Sequence, residues 1–356
     1  MNFQKRINAL RIFLSDLKAD AFVTTFQPHL RYLVNYTGSN GVCVITKEKV
    51  FFATDFRYEV PAKKEVVADK IKIHSNNLFE ALSKNFKKKN LSFIFDSKTL
   101  SVYNFKQIKK QFSPKNINHT FGLVEKISSV KEKEEIDSIK KAILISQNVF
   151  DDILKIIKPG ITELDISAEI SYRHKKYGAS RDAFEPIVAS GTNGAKPHAI
   201  ATSKKIKNGE MITLDFGCFY NGYCSDLTRT IAIGKPNQKM LSIYNIVNEA
   251  QQLGIDSIEN NISAKKIDKI VRDFISKKKF GKYFRHSLGH GIGLQVHELP
   301  TISFKSDEKL KVGNVFTIEP GIYLPNIGGV RIEDDVLMKE NGIEVLTTTT
   351  KELIIL

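Results

Sequence analysis

Four acidic residues and one histidine in the second half of the chain have the side chains that bind divalent metal ions. They are Asp215, Asp226, His290, Glu319 and Glu333. Carboxylate oxygens bind hard divalent cations, and an imidazole nitrogen extends the set toward transition metals. Such an oxygen-rich set suits a pair of ions of the Mn²⁺ type better than a thiolate zinc site. Ions of this kind activate water for hydrolysis.

The two aspartates lie in alternating runs on either side of Asn221-Gly222, a strong hairpin signal because both residues accept the positive φ of a type I′ turn. A two-residue turn there places Asp215 opposite Thr228 and Gly217 opposite Asp226. Asp215 and Asp226 then share one face as a diagonal pair, about 7–8 Å apart at Cα. The opposite face is apolar. For an arbitrary hairpin, a polar face of this kind is usually wetted by solvent, and that alternative stays open.

Three of the eight histidines, His286, His290 and His297, fall within twelve residues that also contain several glycines. The glycines disfavour a regular helix, so the segment is predicted to be extended or looped. It is not a zincin helix, since no second histidine follows His297 by four residues. Its glycine spacing does not match a dinucleotide-binding fingerprint either. The histidines could instead be structural, and each downstream glutamate could form a salt bridge, for example with Arg331.

The pattern of apolar residues changes near residues 122–130. Residues 1–125 alternate short apolar runs with helical stretches, which predicts an α/β unit with a sheet flanked by helices. Residues 126–356 begin with a charged helix start and a second helix capped by Thr162. Glycine-rich strands and two further helical stretches follow, a pattern typical of an α+β domain with an antiparallel sheet. We therefore predict two domains with these bounds.

Composition excludes several classes of protein. The 356 residues are 42% hydrophobic and 26% charged, as in a globular protein, and no window is apolar enough for a membrane span or a signal peptide. Three cysteines are an odd number that argues against a disulfide framework and favours a cytoplasmic location. The net charge of +15 includes the runs Lys87–Lys89 and Lys277–Lys279. Without interleaved aromatics these runs predict solvated faces, with neither a nucleic acid nor a membrane as partner.

Four motifs follow one another across residues 215–334. They are Asp215-Phe216-Gly217 with Asp226-Leu227-Thr228-Arg229-Thr230, then Gly289–Glu298, Ile318–Gly321 and Gly329–Asp334. In this order they resemble the aminopeptidase P and prolidase branch of the pita-bread metallopeptidases. The resemblance implies an α+β pita-bread catalytic domain, with a curved antiparallel sheet and helices, preceded by a smaller α/β creatinase-type N-terminal domain. It also implies a homodimer.

The resemblance assigns a role to each candidate site residue. Asp215 resembles a ligand of one ion, Asp226 and Glu333 the carboxylates that bridge two ions, and His290 and Glu319 the remaining ligands of the second ion. The implied ions are two divalent cations, Mn²⁺ by preference, with Co²⁺ or Zn²⁺ as alternatives. Catalytic roles fall to His198, His297 and Glu319, with Glu319 as the proton shuttle. Substrate-binding or supporting roles fall to His198, His286, His297 and Arg331.

The function implied by the resemblance is metal-dependent hydrolysis of the first peptide bond in peptides with proline at the second position, as in aminopeptidase P. The alternative is prolidase, which acts on Xaa-Pro dipeptides and would need a pocket closed beyond the proline. Two further alternatives are a non-catalytic peptide- or protein-binding module and a related carbon–nitrogen hydrolase with a non-peptide substrate. Methionine aminopeptidase generally lacks the N-terminal domain, and creatinase lacks the five-ligand set, so both are disfavoured.

Overall fold

The computed structural model describes residues 1–74, 76–87 and 89–356. The chain divides into two compact units, Met1–Ser128 and Ser129–Leu356. In the described part of the chain, no helix has both the length and the apolar character needed to cross a bilayer. Lys87, Lys89 and Lys277–Lys279 are exposed, whereas Lys88 lies outside the described residues.

The first unit is a mixed sheet with helices, as predicted. Its strands within the described residues are β1 Ala21–Thr24, β2 Gly41–Thr46, β3 Val50–Thr54, β4 Lys70–Ile73, β5 Ser92–Asp96 and β6 Asn116–Thr120, in the order β4-β3-β2-β1-β5-β6. Its helices are α1 Phe3–Asp16, α2 Gln27–Val34, α3 Glu59–Glu65, α4 Leu78–Phe86, α5 Val102–Phe112 and α6 Leu123–Ser128. The sequence interpretation missed β4 and β6. Both are edge strands with exposed polar positions, so neither produces an apolar run.

The second unit is built from antiparallel strands and two pairs of helices. The helices are α7 Lys133–Leu154, α8 Glu163–Lys176, α9 Gln238–Asp256 and α10 Ala264–Lys277. The strands up to α9 are β7 Arg181–Asp182, β8 Ile187–Ser190, β9 Met211–Phe216, β10 Cys218–Tyr220, β11 Tyr223–Cys224 and β12 Leu227–Ala232. Those after α10 are β13 Gly289–Gly291, β14 Glu298–Ile302, β15 Val315–Ile318, β16 Gly321–Leu324, β17 Gly328–Arg331, β18 Asp334–Lys339 and β19 Gly342–Val345. The antiparallel α+β prediction is confirmed.

The first residues of α8 show how the local sequence determines where a helix begins. Thr162 Oγ1 accepts the backbone N–H of Asp165 at 3.0 Å, and the Asp165 side chain accepts the N–H of Thr162 at 3.0 Å. This reciprocal capping box satisfies donors that the first helical turn leaves free. The predicted cap at Thr162 is therefore confirmed.

The hairpin formed by β9–β12 has the predicted register. Asp215 pairs with Thr228, and the turn residues Asn221 and Gly222 have φ values of 47° and 81°. Its apolar face consists of Ile212, Leu214, Phe216, Leu227 and Ile231, and packs in one core with residues of α7 and α8. Burying each such side chain contributes about 1.5–3 kcal/mol. This packing fixes which face of the hairpin carries the aspartates.

A C-terminal segment after β19 is held against β12. The Arg229 guanidinium donates hydrogen bonds to the carbonyl oxygens of Thr349 and Thr350 at 2.7 and 2.9 Å. It also forms an ion pair with Asp334 at 2.6 Å, where both side chains are at most 2% exposed. Further along, the N–H of Leu356 donates to the carbonyl of Ala232 at 3.0 Å. Arg229 thus ties the end of the chain to the strand that follows Asp226.

Candidate metal centre

The sheet strands bring Asp226, His290 and Glu333 together. One potential ligand atom from each of the three lies within 4.8 Å of the others. His290 is in β13, Asp226 directly precedes β12, and Glu333 lies between β17 and β18. A single backbone bridge pairs Glu333 with Thr228, which sets the last segment beside the hairpin.

Glu319 and Asp215 complete the predicted set. Glu319 directly follows β15, and its Oε1 lies 3.2 Å from His290 Nε2, which is itself 3.7 Å from Asp226 Oδ2. Asp215 pairs in register with Thr228, whose hydroxyl donates to Glu333 Oε2 at 2.5 Å. The structure therefore brings the five predicted ligands into one continuous group of side chains.

The polar face of the hairpin is buried, so the alternative of a solvent-wetted face is wrong for this chain. Thr213, Asp215, Asp226, Thr228 and Thr230 are all at most 7% exposed. The strand segments β13–β15 and β17–β18 add residues from beyond the hairpin to this face. An isolated hairpin would leave the face in water, but the complete unit removes it from solvent.

Four buried carboxylate oxygens in this part of the structure are available to bind a cation. Asp215 Oδ1, Asp226 Oδ1, Glu333 Oε1 and Asp335 Oδ1 are buried, and each lacks a hydrogen-bond donor among the described residues. A buried carboxylate oxygen without a donor is costly unless a cation compensates it. The residues present therefore fit a centre of divalent cations with oxygen and imidazole ligands.

The pKa shifts of these carboxyl groups also indicate a site for cations. Burial, reinforced by neighbouring carboxylates, raises the pKa of Asp226 and of Glu333 well above the usual range. Burial also raises the pKa of Asp215, against the opposing effect of Arg331, and raises the pKa of Asp335 to about 8. Without a cation, this many carboxyl groups cannot all ionise in one buried site. Bound cations would reverse these shifts.

Glu319 and His290 behave as a pair. Burial alone would raise the pKa of Glu319, but its hydrogen bond with His290 and the charge of that ring lower it to about 2. Burial alone would lower the pKa of His290, and the same contact with Glu319 raises it instead. The His290 Nδ1 atom faces the carbonyl of Gly291 at 3.2 Å, which orients the ring so that Nε2 points into the carboxylate group.

Arg331 supports Asp215 rather than a glutamate. Its Nη2 donates to Asp215 Oδ2, its Nε to the Thr228 hydroxyl at 3.2 Å, and its Nη1 to the Tyr323 hydroxyl at 2.7 Å. His286 Nε2 lies 3.0 Å from the same hydroxyl. The alternative in which Arg331 neutralises Glu319 or Glu333 by a direct salt bridge is therefore wrong.

His297 and His198 lie at the side of the group. The ring centroid of His297 is 4.3 Å from that of His290, with 57° between the ring planes. The His297 side chain is exposed at one edge, and its partial desolvation and the charges of His290 and His198 lower its pKa. His198 is exposed, and the carbonyl of the preceding Pro197 accepts a hydrogen bond from Arg331 at 3.2 Å.

Sequence reasoning missed three side chains of the site. Asp335 is fully buried, and its Oδ2 accepts the backbone N–H of Asp226 at 3.2 Å. Thr228 and Tyr323 supply the hydroxyls that connect Glu333, Arg331 and His286. Asp335 had a signal, since it is an acid within the apolar strand β18. Tyr323 lies eight positions from Arg331 on the paired strands β16 and β17, but its second partner, His286, is 37 positions away.

Comparison with known proteins places the chain in a family. Residues 137–340 match the model of metallopeptidase family M24, and residues 6–130 match the Creatinase/Prolidase N-terminal domain. The chain belongs to metallopeptidase family M24. Its fold and its assignment as a metal-dependent hydrolase are thereby confirmed, and divalent ions are part of M24 chemistry.

Individual relatives extend over the whole chain. An uncharacterised peptidase of Bacillus subtilis is 40% identical over 99% of this chain and 100% of its own length. The solved Xaa-Pro dipeptidase of Bacillus anthracis is 41% identical, with a TM-score of 0.95 and full coverage of both chains. The X-Pro aminopeptidase of Thermotoga maritima is 36% identical, with a TM-score of 0.89 over 96% of this chain and 99% of that one. The M24 architecture is thus shared along the full length.

Metal addition should stabilise the metal-stripped protein. At an Mn²⁺ concentration of about 100 times Kd, ligand linkage raises the free energy of unfolding by about 2.7 kcal/mol. Because binding displaces protons from Asp226, Glu333 and Asp335, whose pKa values are raised, the stabilisation should grow as pH rises toward 8. Thermal unfolding at pH 6 and pH 8 measures this. An unfolding temperature that no divalent ion changes would contradict the site.

Proposed function

We propose that the protein hydrolyses the N-terminal Xaa-Pro bond of peptides, with two divalent ions, Mn²⁺ by preference, held by Asp215, Asp226, His290, Glu319 and Glu333. The observation that carries the proposal is the group of buried carboxylate oxygens without donors beside His290. Membership of family M24 supports it, and so do the names of the relatives. The Xaa-Pro bond needs a dedicated enzyme because proline has no N–H for strand-like substrate binding.

The residues around the ligands have complementary roles. When bound, divalent ions supply an activated water at neutral pH. Glu319 accepts a proton from the attacking water, since its carboxylate lies within the ligand group, 3.2 Å from His290. Its carboxylate hands the proton on toward the departing proline nitrogen. Arg331 holds Asp215 in place through its charge-assisted hydrogen bond.

The two histidines at the side of the site stabilise the reacting carbonyl. The lowered pKa of His297 keeps its imidazole neutral near pH 7, so that one ring nitrogen carries a proton to donate to the developing oxyanion. His198 is exposed and so available to contact substrate. His286, hydrogen-bonded to Tyr323, borders the same group and supports the Tyr323–Arg331 contact.

Two substrate lengths are candidates. The sequence analysis predicts aminopeptidase P, which cleaves tripeptides and longer peptides. Prolidase activity is favoured by the names of two relatives, the Xaa-Pro dipeptidases of Bacillus anthracis and of Pyrococcus furiosus, which are 41% and 38% identical to this chain. The Thermotoga maritima relative carries the aminopeptidase name at 36% identity. Both activities use the same attack on the Xaa-Pro carbonyl.

Hydrolysis of Ala-Pro and Ala-Pro-Ala by metal-stripped protein, with and without Mn²⁺, tests the proposal. We expect release of alanine that requires the metal. Cleavage of the tripeptide at Ala-Pro would identify aminopeptidase P, and cleavage of the dipeptide alone would identify prolidase. Ala-Ala-Ala serves as the matched control without proline. Absence of alanine release from both proline peptides with Mn²⁺, Co²⁺ and Zn²⁺ would contradict the proposed function.

A further inference from the structure

A buried ion pair outside the candidate ligand set lies next to His297. Lys131 Nζ is 3.0 Å from Glu298 Oε2, and the two side chains are 1% and 4% exposed. Glu298 directly follows His297 in the chain, whereas Lys131 comes from the segment before α7. A buried ion pair compensates its loss of hydration only with good geometry and further hydrogen bonds. The pair therefore constrains the backbone to which it is attached.

Glu298 also closes the turn that carries His297. Its second oxygen, Oε1, accepts the backbone N–H of Gln295 at 2.9 Å. The pair packs directly on the glycine backbone, since a Cβ on Gly293 would lie 2.6 Å from Glu298 Oε2 and 2.9 Å from Lys131 Cε. The carboxylate thus links the two ends of the segment 295–298.

The segment and the lysine are each fixed from a second side. The N–H of Cys224 donates to the carbonyl of Gly293 at 2.8 Å, and the Cys224 thiol contacts the carbonyl of Gln295 at 3.3 Å. The backbone N–H of Lys131 donates to the carbonyl of Gly313 at 2.8 Å. The backbone of Lys131 is therefore held in place by Gly313. The His297 segment is held on one side by the hairpin and on the other by the ion pair.

We propose that Lys131 is a positioning residue for His297, acting through Glu298 to hold the imidazole against the candidate metal centre. The ring of His297 is 4.3 Å from that of His290, so a small movement of its segment changes where its N–H points. A misplacement of about 1 Å in a reacting geometry can cost about 100-fold in rate. The effect on turnover rests on the proposed function, whereas the positioning of the ring does not.

Lys131→Met tests the proposal. We expect kcat for the cleaved Xaa-Pro peptide to fall about 10- to 100-fold, with KM and metal content unchanged. Lys131→Arg should recover most of kcat, because it keeps the charge. Lys140→Met is the matched control: Lys140 pairs with Glu344 at 2.6 Å, but the two side chains are 41% and 31% exposed, so its loss should leave kcat unchanged. Wild-type kcat in Lys131→Met would overturn the proposal.

A double-mutant cycle separates positioning from general damage. If Lys131 acts only through His297, Lys131→Met should cause no further loss of kcat in a His297→Ala background. An equal loss in both backgrounds would overturn the proposal. Should Lys131→Met fail to fold because Glu298 is left as a buried unpaired charge, the double variant Lys131→Met with Glu298→Gln removes both charges. We expect it to show the same loss of kcat.

A measurement that needs no activity keeps this inference distinct from the proposed function. With ¹³Cε1-labelled histidine in the Zn²⁺-loaded protein, NMR reports the surroundings of each ring. Lys131→Met should shift the His297 resonance and leave that of His174 in place, and Lys140→Met should move neither. An unmoved His297 resonance in Lys131→Met would overturn the positioning role. Inactive wild-type protein with a shifted resonance would reject only the proposed function.

Discussion

Replacing Asp226 by asparagine should abolish metal-dependent hydrolysis while the chain stays folded. Asp226 has one buried oxygen without a donor and another 3.7 Å from His290, so an amide there removes a charged ligand from the middle of the group. We expect kcat/KM to fall at least about 1,000-fold, equivalent to about 4 kcal/mol. Metal content by mass spectrometry should fall with it. Activity within tenfold of wild type would contradict the assignment.

The same substitution should flatten the pH dependence of stability in the metal-free protein. The pKa of Asp226 is raised well above its unfolded value, first by burial and then by neighbouring carboxylates. The folded state therefore holds a proton that the unfolded state releases above about pH 4, so the free energy of unfolding falls as pH rises from there toward neutral. The amide introduced by Asp226→Asn cannot ionise, so this variant should lose less stability over the same range. Denaturant unfolding at pH 4 and pH 7 measures the difference.

Asp151→Asn provides the control for both measurements. Asp151 is exposed on α7 of the same unit and is not one of the candidate ligands. Its replacement should change neither activity nor the pH dependence of unfolding. A metal-free Asp226→Asn protein that loses stability with pH as steeply as wild type would show that the buried aspartate is not the source of the effect.

Arg229→Met should lower the free energy of unfolding by about 3–5 kcal/mol, because it leaves the buried carboxylate of Asp334 without its closest positive partner. It also removes the donors that hold the carbonyls of Thr349 and Thr350. Lys351 remains 3.3 Å from Asp334, which places the expected loss at the lower end of this range. Chemical denaturation of the metal-stripped protein measures the effect without the contribution of metal binding.

Arg173→Met is the matched control for Arg229. Arg173 pairs with Asp152 at 2.8 Å and with Glu169 at 3.2 Å, but its side chain is 20% exposed and the carboxylates reach solvent. Ion pairs of this kind contribute about 1 kcal/mol or less. An equal loss of unfolding free energy in the two variants would contradict the interpretation that burial makes the Arg229 ion pair the more stabilising one.

Local signals predicted the hairpin well. Asn221-Gly222 specifies a turn geometry, and the alternation of side chains then determines that Asp215 faces Thr228. The same reasoning predicted the extended histidine segment and the cap at Thr162, because each depends on residues within a few positions of one another. The ordered motifs also pointed to the family. These features are local, so a single sequence contains the information that specifies them.

Features formed by distant residues were not predictable in the same way. Tyr323 meets His286 across 37 positions, and Lys131 meets Glu298 across 167 positions, so no spacing in the sequence reveals either contact. The burial of the hairpin's polar face depends on strands contributed by the last third of the chain. The edge strand β6 has exposed polar residues and therefore resembled a loop. Packing, rather than local pattern, decides each of these cases.

The close approach of β13 to its neighbours restricts what substitutions the histidine segment can accept. A Cβ at Gly289 would lie 1.9 Å from the carbonyl oxygen of Thr317, and one at Gly291 would lie 2.2 Å from that of Leu299. Both obstacles are backbone atoms, so a rotamer change cannot relieve them. Both positions therefore accept only glycine, so substitutions that alter the surroundings of His290 have to come from residues other than its two strand neighbours.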